Sequence, residues 1–225
     1  MQIKPEQIVA FDIETKNFST DVRHGNTKVI SVQLATSDAE SLFYSDAPPG
    51  PSSFKTLPKK IDDLLAQGCV FGGHNVSYFD FPVLDELLPG LVSIPAELRI
   101  DTMSSPAAEN LKKKLAKDFV SLEQLSTEHG VPVSHKNLMR DRALAYASRH
   151  HAELLGVAQK LSSDKGWSLD FCLKKVAFGP AIYECYEEFL GSQNQKTTDF
   201  YKYAMGDVQC ERELMLRLHQ KGLLF

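Results

Sequence analysis

The stretch Phe11-Asp12-Ile13-Glu14-Thr15 places two carboxylates directly after an apolar run, Ile8-Val9-Ala10. The run is rich in β-branched residues and predicts a strand that is buried on at least one face. Because side chains alternate along a strand, Asp12 and Glu14 should project from the same face. Two carboxylates this close repel each other, so the pair is expected either to face solvent or to hold a cation.

The rest of the sequence predicts an α/β chain, in which three strands come first and helices then alternate with strands. A turn is expected at 24–27 and a surface loop at 47–53. The segment 137–191 is helical in pattern, contains no clear strand, and is interpreted as a helical subregion placed before the last helix of a single domain, 1–225. The further predicted strands are 28–35, 42–44, 69–75 and 98–102. The predicted helices are 57–67, 80–88, 105–117, 121–129 and a last one from 197 or 198 to about 220.

The composition predicts a folded globular protein. Of its residues, 43% are hydrophobic and 24% are charged, which is typical of a protein with a buried core. The length of 225 residues suffices for one large domain or two small ones. Its formal net charge of −4 argues against a nucleic-acid binder that relies on charge alone. Two divalent cations held by carboxylates would offset that charge, so the composition stays compatible with a metal-dependent nuclease.

The cysteines and the hydropathy pattern indicate an intracellular protein. None of the four cysteines forms a Cys-x-x-Cys pair, which argues against a zinc knuckle or a thioredoxin-type site. Their wide spacing in apolar surroundings favours free thiols in a reducing compartment. No secretory signal is visible, and no segment reaches the roughly 18 apolar residues of a membrane span. We therefore expect a soluble, cytoplasmic protein without a membrane partner.

Three acidic elements follow one another along the chain. The first is Asp12-Ile13-Glu14, and the second ends at Asp80, between a predicted strand and the start of a predicted helix. In the third, Tyr203 and Asp207 are four residues apart and therefore share one face of the last predicted helix. Each element alone is common, but their order and their structural contexts together favour one shared site.

The second element reads Asn75-Val76-Ser77-Tyr78-Phe79-Asp80. Together the three elements resemble the motifs of the DEDD (DnaQ-like) 3′–5′ exonucleases. These motifs are Asp-x-Glu, then Asn followed after two or three residues by Phe or Tyr and Asp, then a motif with either a tyrosine or a histidine before the last Asp. Lys202 stands where the histidine form would have its histidine, so the chain resembles the tyrosine (DEDDy) subclass, which is similar to the proofreading domains of family A and family B DNA polymerases. The resemblance covers roughly 7–130 and 197–221.

The resemblance implies a ribonuclease-H-like fold, with a mixed five-stranded sheet flanked by helices and a helical insertion at 137–191. It also implies an enzyme that removes nucleotides from a single-stranded 3′ end, with DNA favoured as the substrate. Two divalent cations, Mg²⁺ or Mn²⁺, would serve such a reaction. They would be bound by Asp12, Glu14, Asp80 and Asp207, with Asp12 bridging both. The hydroxyl of Tyr203 would orient the attacking water, since tyrosine stays protonated at neutral pH.

Four further residues are candidates to contact the terminal nucleotide. Thr15 and Asn75 could bind it through polar groups, whereas Phe18 and Phe79 could pack on its base. For the two aromatic residues, packing in the core is the alternative.

Three alternatives concern the activity and its setting. The chain could be an exonuclease acting on RNA, because the sugar is recognised by local contacts that no motif reveals. It could also be a non-catalytic module of the same fold that binds nucleic acid or scaffolds replication proteins. Since no polymerase motif follows the third acidic element, we expect either a free-standing enzyme or a proofreading subunit that joins a polymerase or another replication or repair protein.

The basic residues receive weaker interpretations. The lysines at 112–114 and 117 favour a solvated helix face over contact with phosphates. Lys136, Arg140 and Arg142 suit either role equally well.

Three other features favour structural explanations. The adjacent histidines at 150–151 favour an exposed pair over a metal site. Asp85 and Asp101 are expected to be structural or solvated. Trp167 is expected to lie in the core.

Overall fold

The computed structural model describes residues 3–16, 28–133 and 136–225. Its strands are β1 (Ile8–Thr15), β2 (Val29–Ala35), β3 (Glu40–Tyr44), β4 (Val70–Gly73) and β5 (Arg99–Asp101). They form a five-stranded sheet in the order β3-β2-β1-β4-β5. β1 pairs in parallel with β4, and β4 with β5, whereas β2 and β3 are antiparallel. The predicted mixed sheet is therefore confirmed.

Eight α-helices occur in the described residues. The three helices that precede the last one confirm the helical pattern predicted for 137–191, and the turn predicted at 24–27 lies outside the described residues. The helices are α1 (Leu57–Ala66), α2 (Asp80–Leu87), α3 (Pro106–Leu115), α4 (Leu122–Glu128), α5 (Lys136–Arg149), α6 (His151–Lys165), α7 (Leu169–Gly191) and α8 (Asp199–Gln220).

Contacts between Cα atoms group the chain into two compact units. The first unit contains Met1–Ile13, Ser31–Ser134 and Ala204–Phe225, and the second contains Glu14–Ile30 and His135–Tyr203. The prediction that 1–225 forms a single domain stays a prediction.

The core of the first unit is built on β1. Ile8, Val9, Ala10 and Phe11 are fully buried, as expected for a strand with neighbours on both edges. The ring of Phe11 stacks on that of Phe81 from α2, with centroids 5.2 Å apart. This packing fixes the start of α2 next to the end of the apolar run in β1.

Two serine caps confirm where α3 and α4 begin. The Ser105 hydroxyl accepts a hydrogen bond from the Ala108 N–H, at 3.2 Å. Ser121 and Gln124 form a reciprocal capping box. Such caps satisfy N–H groups that the first turn of a helix leaves without a partner.

The second unit has its own packing. An apolar cluster joins α6 to α7 through Ala158, Leu161, Cys172 and Val176. The side chain of Arg142 donates to Glu188 at 3.1 Å and to Asp199 at 2.6 Å. Arg142 therefore ties α5 to α7 and α8, which favours a structural role over phosphate contact.

The exposure of Trp167 contradicts its predicted core position. Its side chain is 43% exposed and meets Phe171 edge to face. The reason is local, because Gly166 adopts a left-handed conformation that ends α6 just before the tryptophan.

Two other predictions from the composition can be compared with the structure. All four cysteines are free and buried, as predicted. Within the part of the chain that the structure describes, no helix combines the length and apolar character needed to cross a bilayer.

Candidate active site

Asp12 and Asp80 meet in the first unit, as the acidic motifs predict. Asp12 is half-buried, whereas the other residues of β1 are buried, and Asp80 begins α2 with only 4% of its surface exposed. The Ile13 N–H donates to Asp80 Oδ1 at 3.0 Å, and a hydrogen bond joins the side chains of Asp12 and Asp80. Two carboxyl groups can bond in this way only when one of them carries a proton.

The environment of Asp80 favours its neutral form. Burial raises the pKa of Asp80 to about 7, and the charge of Asp101 acts in the same direction. Hydrogen bonds from the Ile13 N–H and from Asp12 oppose this rise without cancelling it. Since a cation would stabilise the charged form instead, the pair has the electrostatic character of a cation site that is protonated when no cation is bound.

Asp101 holds the turn that leads into Asp80. Its carboxylate accepts hydrogen bonds from the N–H groups of Asn75 at 2.8 Å, Ser77 at 3.0 Å and Met103 at 2.9 Å. Asn75 has a φ of 71°, a left-handed conformation that is uncommon for a side chain other than glycine. The structural role expected for Asp101 is confirmed, and its specific task is to fix this turn.

We expect Asp101→Ala to destabilise the protein by about 2 kcal/mol, because hydrogen bonds to a charged acceptor would be lost and their N–H groups left without that acceptor. Urea unfolding followed by circular dichroism measures the change. The control is Asp85→Ala, since Asp85 is an exposed aspartate on α2 and its loss should change stability by less than about 0.5 kcal/mol. Equal unfolding midpoints for the two variants would show that Asp101 does not hold the turn.

Glu211 is a buried acidic residue of α8 that the three sequence motifs do not include. Tyr203, Asp207 and Glu211 follow one another at intervals of four residues on α8. The three positions therefore lie on one face of the helix. Asp207 and Glu211 are only 5% and 4% exposed. Glu211 Oε1 accepts a hydrogen bond from the His74 N–H at 3.0 Å, directly after β4. The repeated spacing of four was the signal in the sequence that could have identified it.

A close approach at Gly73 accompanies this contact. A Cβ atom added at Gly73 would lie 2.7 Å from the Phe11 carbonyl oxygen, 2.7 Å from Val76 Cγ1 and 2.8 Å from Glu211 Oε2. Glycine therefore allows the end of β4 to contact β1 and α8 at once.

The remaining predicted site residues are placed as follows. Glu14 and Thr15, at the end of β1, are 6% and 7% exposed. Tyr203 is 7% exposed, and its ring meets Phe178 edge to face with centroids 6.2 Å apart. Asn75 and Phe79 are half-buried, whereas Phe18 lies outside the described residues.

Two of the lysines of α3, Lys112 and Lys114, lie in ion pairs. Lys112 donates to the Met103 carbonyl at 3.0 Å and to Glu109 at 2.8 Å, and Lys114 pairs with Glu128. These contacts agree with a helix face that is solvated or structural.

The acidic side chains offer only oxygen donors, which suit hard cations such as Mg²⁺. The donor chemistry and the adjacent carboxyl groups of Asp12 and Asp80 therefore fit a divalent cation. In residues 3–16, 28–133 and 136–225, no group of three or more His, Cys, Asp or Glu side chains is arranged to hold a metal ion. The ligand roles of Asp12, Glu14, Asp80 and Asp207 stay predictions.

Comparison with known proteins shows no family membership. No protein-family model matches the chain, and no curated protein gives a significant match. Among solved structures, the chain is similar to the family B DNA polymerase from the hyperthermophilic archaeon Pyrobaculum calidifontis, with a TM-score of 0.48 and 15% sequence identity. The similarity covers 94% of this chain and 24% of the polymerase. A similarity this distant supports no argument about activity.

Proposed function

We propose that the protein is a metal-dependent 3′–5′ exonuclease of the DEDD superfamily, tyrosine subclass, with a ribonuclease-H-like fold and with single-stranded DNA as the favoured substrate. The hydrogen bond between Asp12 and Asp80 carries the proposal. It joins two of the three acidic motifs, which are far apart in the sequence, and one of its two carboxyl groups, that of Asp80, is buried. A buried carboxyl group with a raised pKa is typical of a functional site.

In the proposed mechanism, Asp12, Glu14, Asp80 and Asp207 would hold two Mg²⁺ or Mn²⁺ ions. When bound, such ions lower the pKa of water and stabilise charge on the leaving oxygen. Asp12 and Asp80 would both have to be ionised to act as ligands. The Tyr203 hydroxyl would orient the attacking water as a hydrogen-bonding group.

The proposal is tested with single-stranded oligonucleotides labelled at the 3′ or the 5′ end, as DNA and as RNA of the same sequence. With Mg²⁺ or Mn²⁺, we expect early release of the 3′ label as a mononucleotide and stepwise shortening of the 5′-labelled strand. EDTA should stop both reactions. The Asp207→Ala variant, purified in parallel, should be inactive, which shows that the activity belongs to this protein.

Other results of this assay would contradict the proposal or favour one of the alternative functions. Release from the 5′ end, or equal activity in EDTA, would contradict the proposal. Faster digestion of RNA would favour the RNA exonuclease, and binding of both strands without cleavage would favour a non-catalytic module.

A further inference from the structure

A basic cavity lies in the second unit. It has a volume of about 280 Å³. Its lining side chains come from three helices: α5 provides Lys136 and Arg140, α7 provides Lys175 and Phe178, and α8 provides Tyr203. The two residues from α5 are four apart and the two from α7 are three apart, so each helix presents one face to the cavity.

The charge of this cavity suits an anion. Three of its lining residues are cationic, and no carboxylate is among the described residues that line it. Lys175 is half-buried. Burial lowers its pKa, and the charges of Lys136 and Arg140 lower it further. A phosphate bound in the cavity would offset the repulsion among Lys136, Arg140 and Lys175, because its negative charge attracts all three.

Aromatic side chains extend the basic surface. A second cavity of about 450 Å³ shares Arg140, Lys175 and Phe178 with the first and is also lined by Phe171. Phe171 is 42% exposed, and Lys175 Nζ lies 5.4 Å from the centre of its ring. Lys174, which lines this cavity too, pairs with Asp170 at 2.6 Å. Cations beside exposed aromatic rings are the combination by which proteins bind single strands, through phosphates and stacked bases.

We propose that these two adjoining cavities form a strand-binding site, in which Arg140 and Lys175 contact phosphodiester groups of single-stranded nucleic acid and Phe171 and Phe178 face its bases. The inference rests on the proposed function and deepens it, because it gives the helical subregion the task of holding the substrate strand. Tyr203 belongs to both proposals, since it lines the basic cavity and is also the residue whose hydroxyl is proposed to orient the attacking water. The shared cavity wall favours a polymer over a single phosphate ion, because two adjoining spaces accept successive groups of one strand.

Fluorescence anisotropy with labelled single-stranded oligonucleotides, as DNA and as RNA, tests this site in EDTA, where no cleavage is expected. We expect Arg140→Ala and Lys175→Ala each to weaken binding about tenfold. Each should also reduce the slope of log K against log salt by about 0.7, the value for one phosphate contact on a single strand. Phe171→Ala should weaken binding by a similar factor without changing the slope, since stacking carries no charge.

The matched control is Lys165→Ala, because Lys165 is an exposed lysine in the last turn of α6 and does not line either cavity. It should bind with the affinity and the salt slope of the parent. Lys175→Arg should keep most of the affinity, and Arg140, which is exposed, provides a variant whose folding is not at risk. Parental affinity and slope for both Arg140→Ala and Lys175→Ala would overturn the proposal. So would complete competition by millimolar inorganic phosphate, which would indicate a site for one small anion.

The two proposals can fail separately. If the parent binds strands through Arg140 and Lys175 but never shortens them, the exonuclease proposal fails and the strand-binding site remains. If the parent shortens strands while the variants bind as it does, only the strand-binding site is wrong. The DNA and RNA arms then show which sugar the site accepts.

Discussion

The Asp80→Asn variant is expected to be inactive and, without metal, more stable than the parent. Asparagine keeps an oxygen that can accept the hydrogen bond from the Ile13 N–H, which is 3.0 Å long in the parent. The loss of a proposed ligand carboxylate should lower kcat/KM by at least about 1000-fold, or about 4 kcal/mol of transition-state stabilisation. At pH 8 in EDTA, removal of the buried charge should raise the free energy of unfolding by about 2 kcal/mol and Tm by about 4–8 °C.

The pH dependence follows from the direction of the pKa shift. Burial raises the pKa of Asp80 from 3.8 to about 7 in the folded protein. Because the folded pKa lies above that of the unfolded chain, the parent keeps its full stability below about pH 4 and loses part of it as the pH rises through 7. The Tm of the variant relative to the parent should therefore increase between about pH 4 and 7 and stay constant above about pH 8. Mg²⁺ should raise the Tm of the parent at pH 8 more than that of the variant.

Differential scanning calorimetry over this pH range measures both effects. The control is Asp62→Asn, since Asp62 is an exposed aspartate on α1 and its change should leave activity and Tm close to those of the parent. If Asp80→Asn melts at or below the parental Tm at pH 8, the charge of Asp80 does not destabilise the folded parent. If the variant retains activity, Asp80 is not a ligand.

The Gly73→Ala variant is expected to be strongly destabilised. The added methyl group would lie 2.7 Å from the Phe11 carbonyl oxygen and 2.8 Å from Glu211 Oε2, which is closer than non-bonded atoms approach. Since the Phe11 oxygen belongs to the backbone of β1, relief requires a shift of the sheet or of α8. Overpacking of this kind costs about 1–3 kcal/mol, so Tm should fall by about 3–10 °C.

Gly156→Ala provides a control for which the opposite change in stability is expected. A Cβ atom at Gly156 would meet nothing within 4 Å, and Gly156 lies inside α6, so alanine should stabilise the protein by about 0.5–1 kcal/mol. Thermal unfolding of the two variants beside the parent tests the pair. Equal or higher stability of Gly73→Ala would show that α8 can move away from β4 at little cost.

Local patterns in the sequence were sufficient to predict most of the fold. The apolar run before Asp12 became β1, and the serine at 121 with the glutamine at 124 marked the start of α4. The resemblance to a family also implies that Asp80 lies near Asp12, and the structure has a hydrogen bond between their side chains. These features concern residues whose position depends on near neighbours in sequence or on a known motif.

The remaining features depend on contacts between distant segments. Arg140 and Arg142 are two residues apart on α5 and look equivalent in the sequence, yet one lines a cavity and the other pairs with Glu188 and Asp199. The task of Asp101 likewise depends on the turn at Asn75, which approaches it only in the folded chain. Periodicity gives the face of a helix but not the element that this face will meet.

The position of β1 has a consequence for the order of folding. β1 pairs with β4, and its Ile8 carbonyl accepts a hydrogen bond from Arg212 on α8, 204 residues later. Contacts of such sequence separation form slowly, whereas α5, α6 and α7 find their partners within one short segment. During synthesis on the ribosome, the helical segment can therefore fold while β1 still waits for α8. The proposed nuclease site, which includes Asp207 on α8, would therefore be completed only after the helical segment has folded.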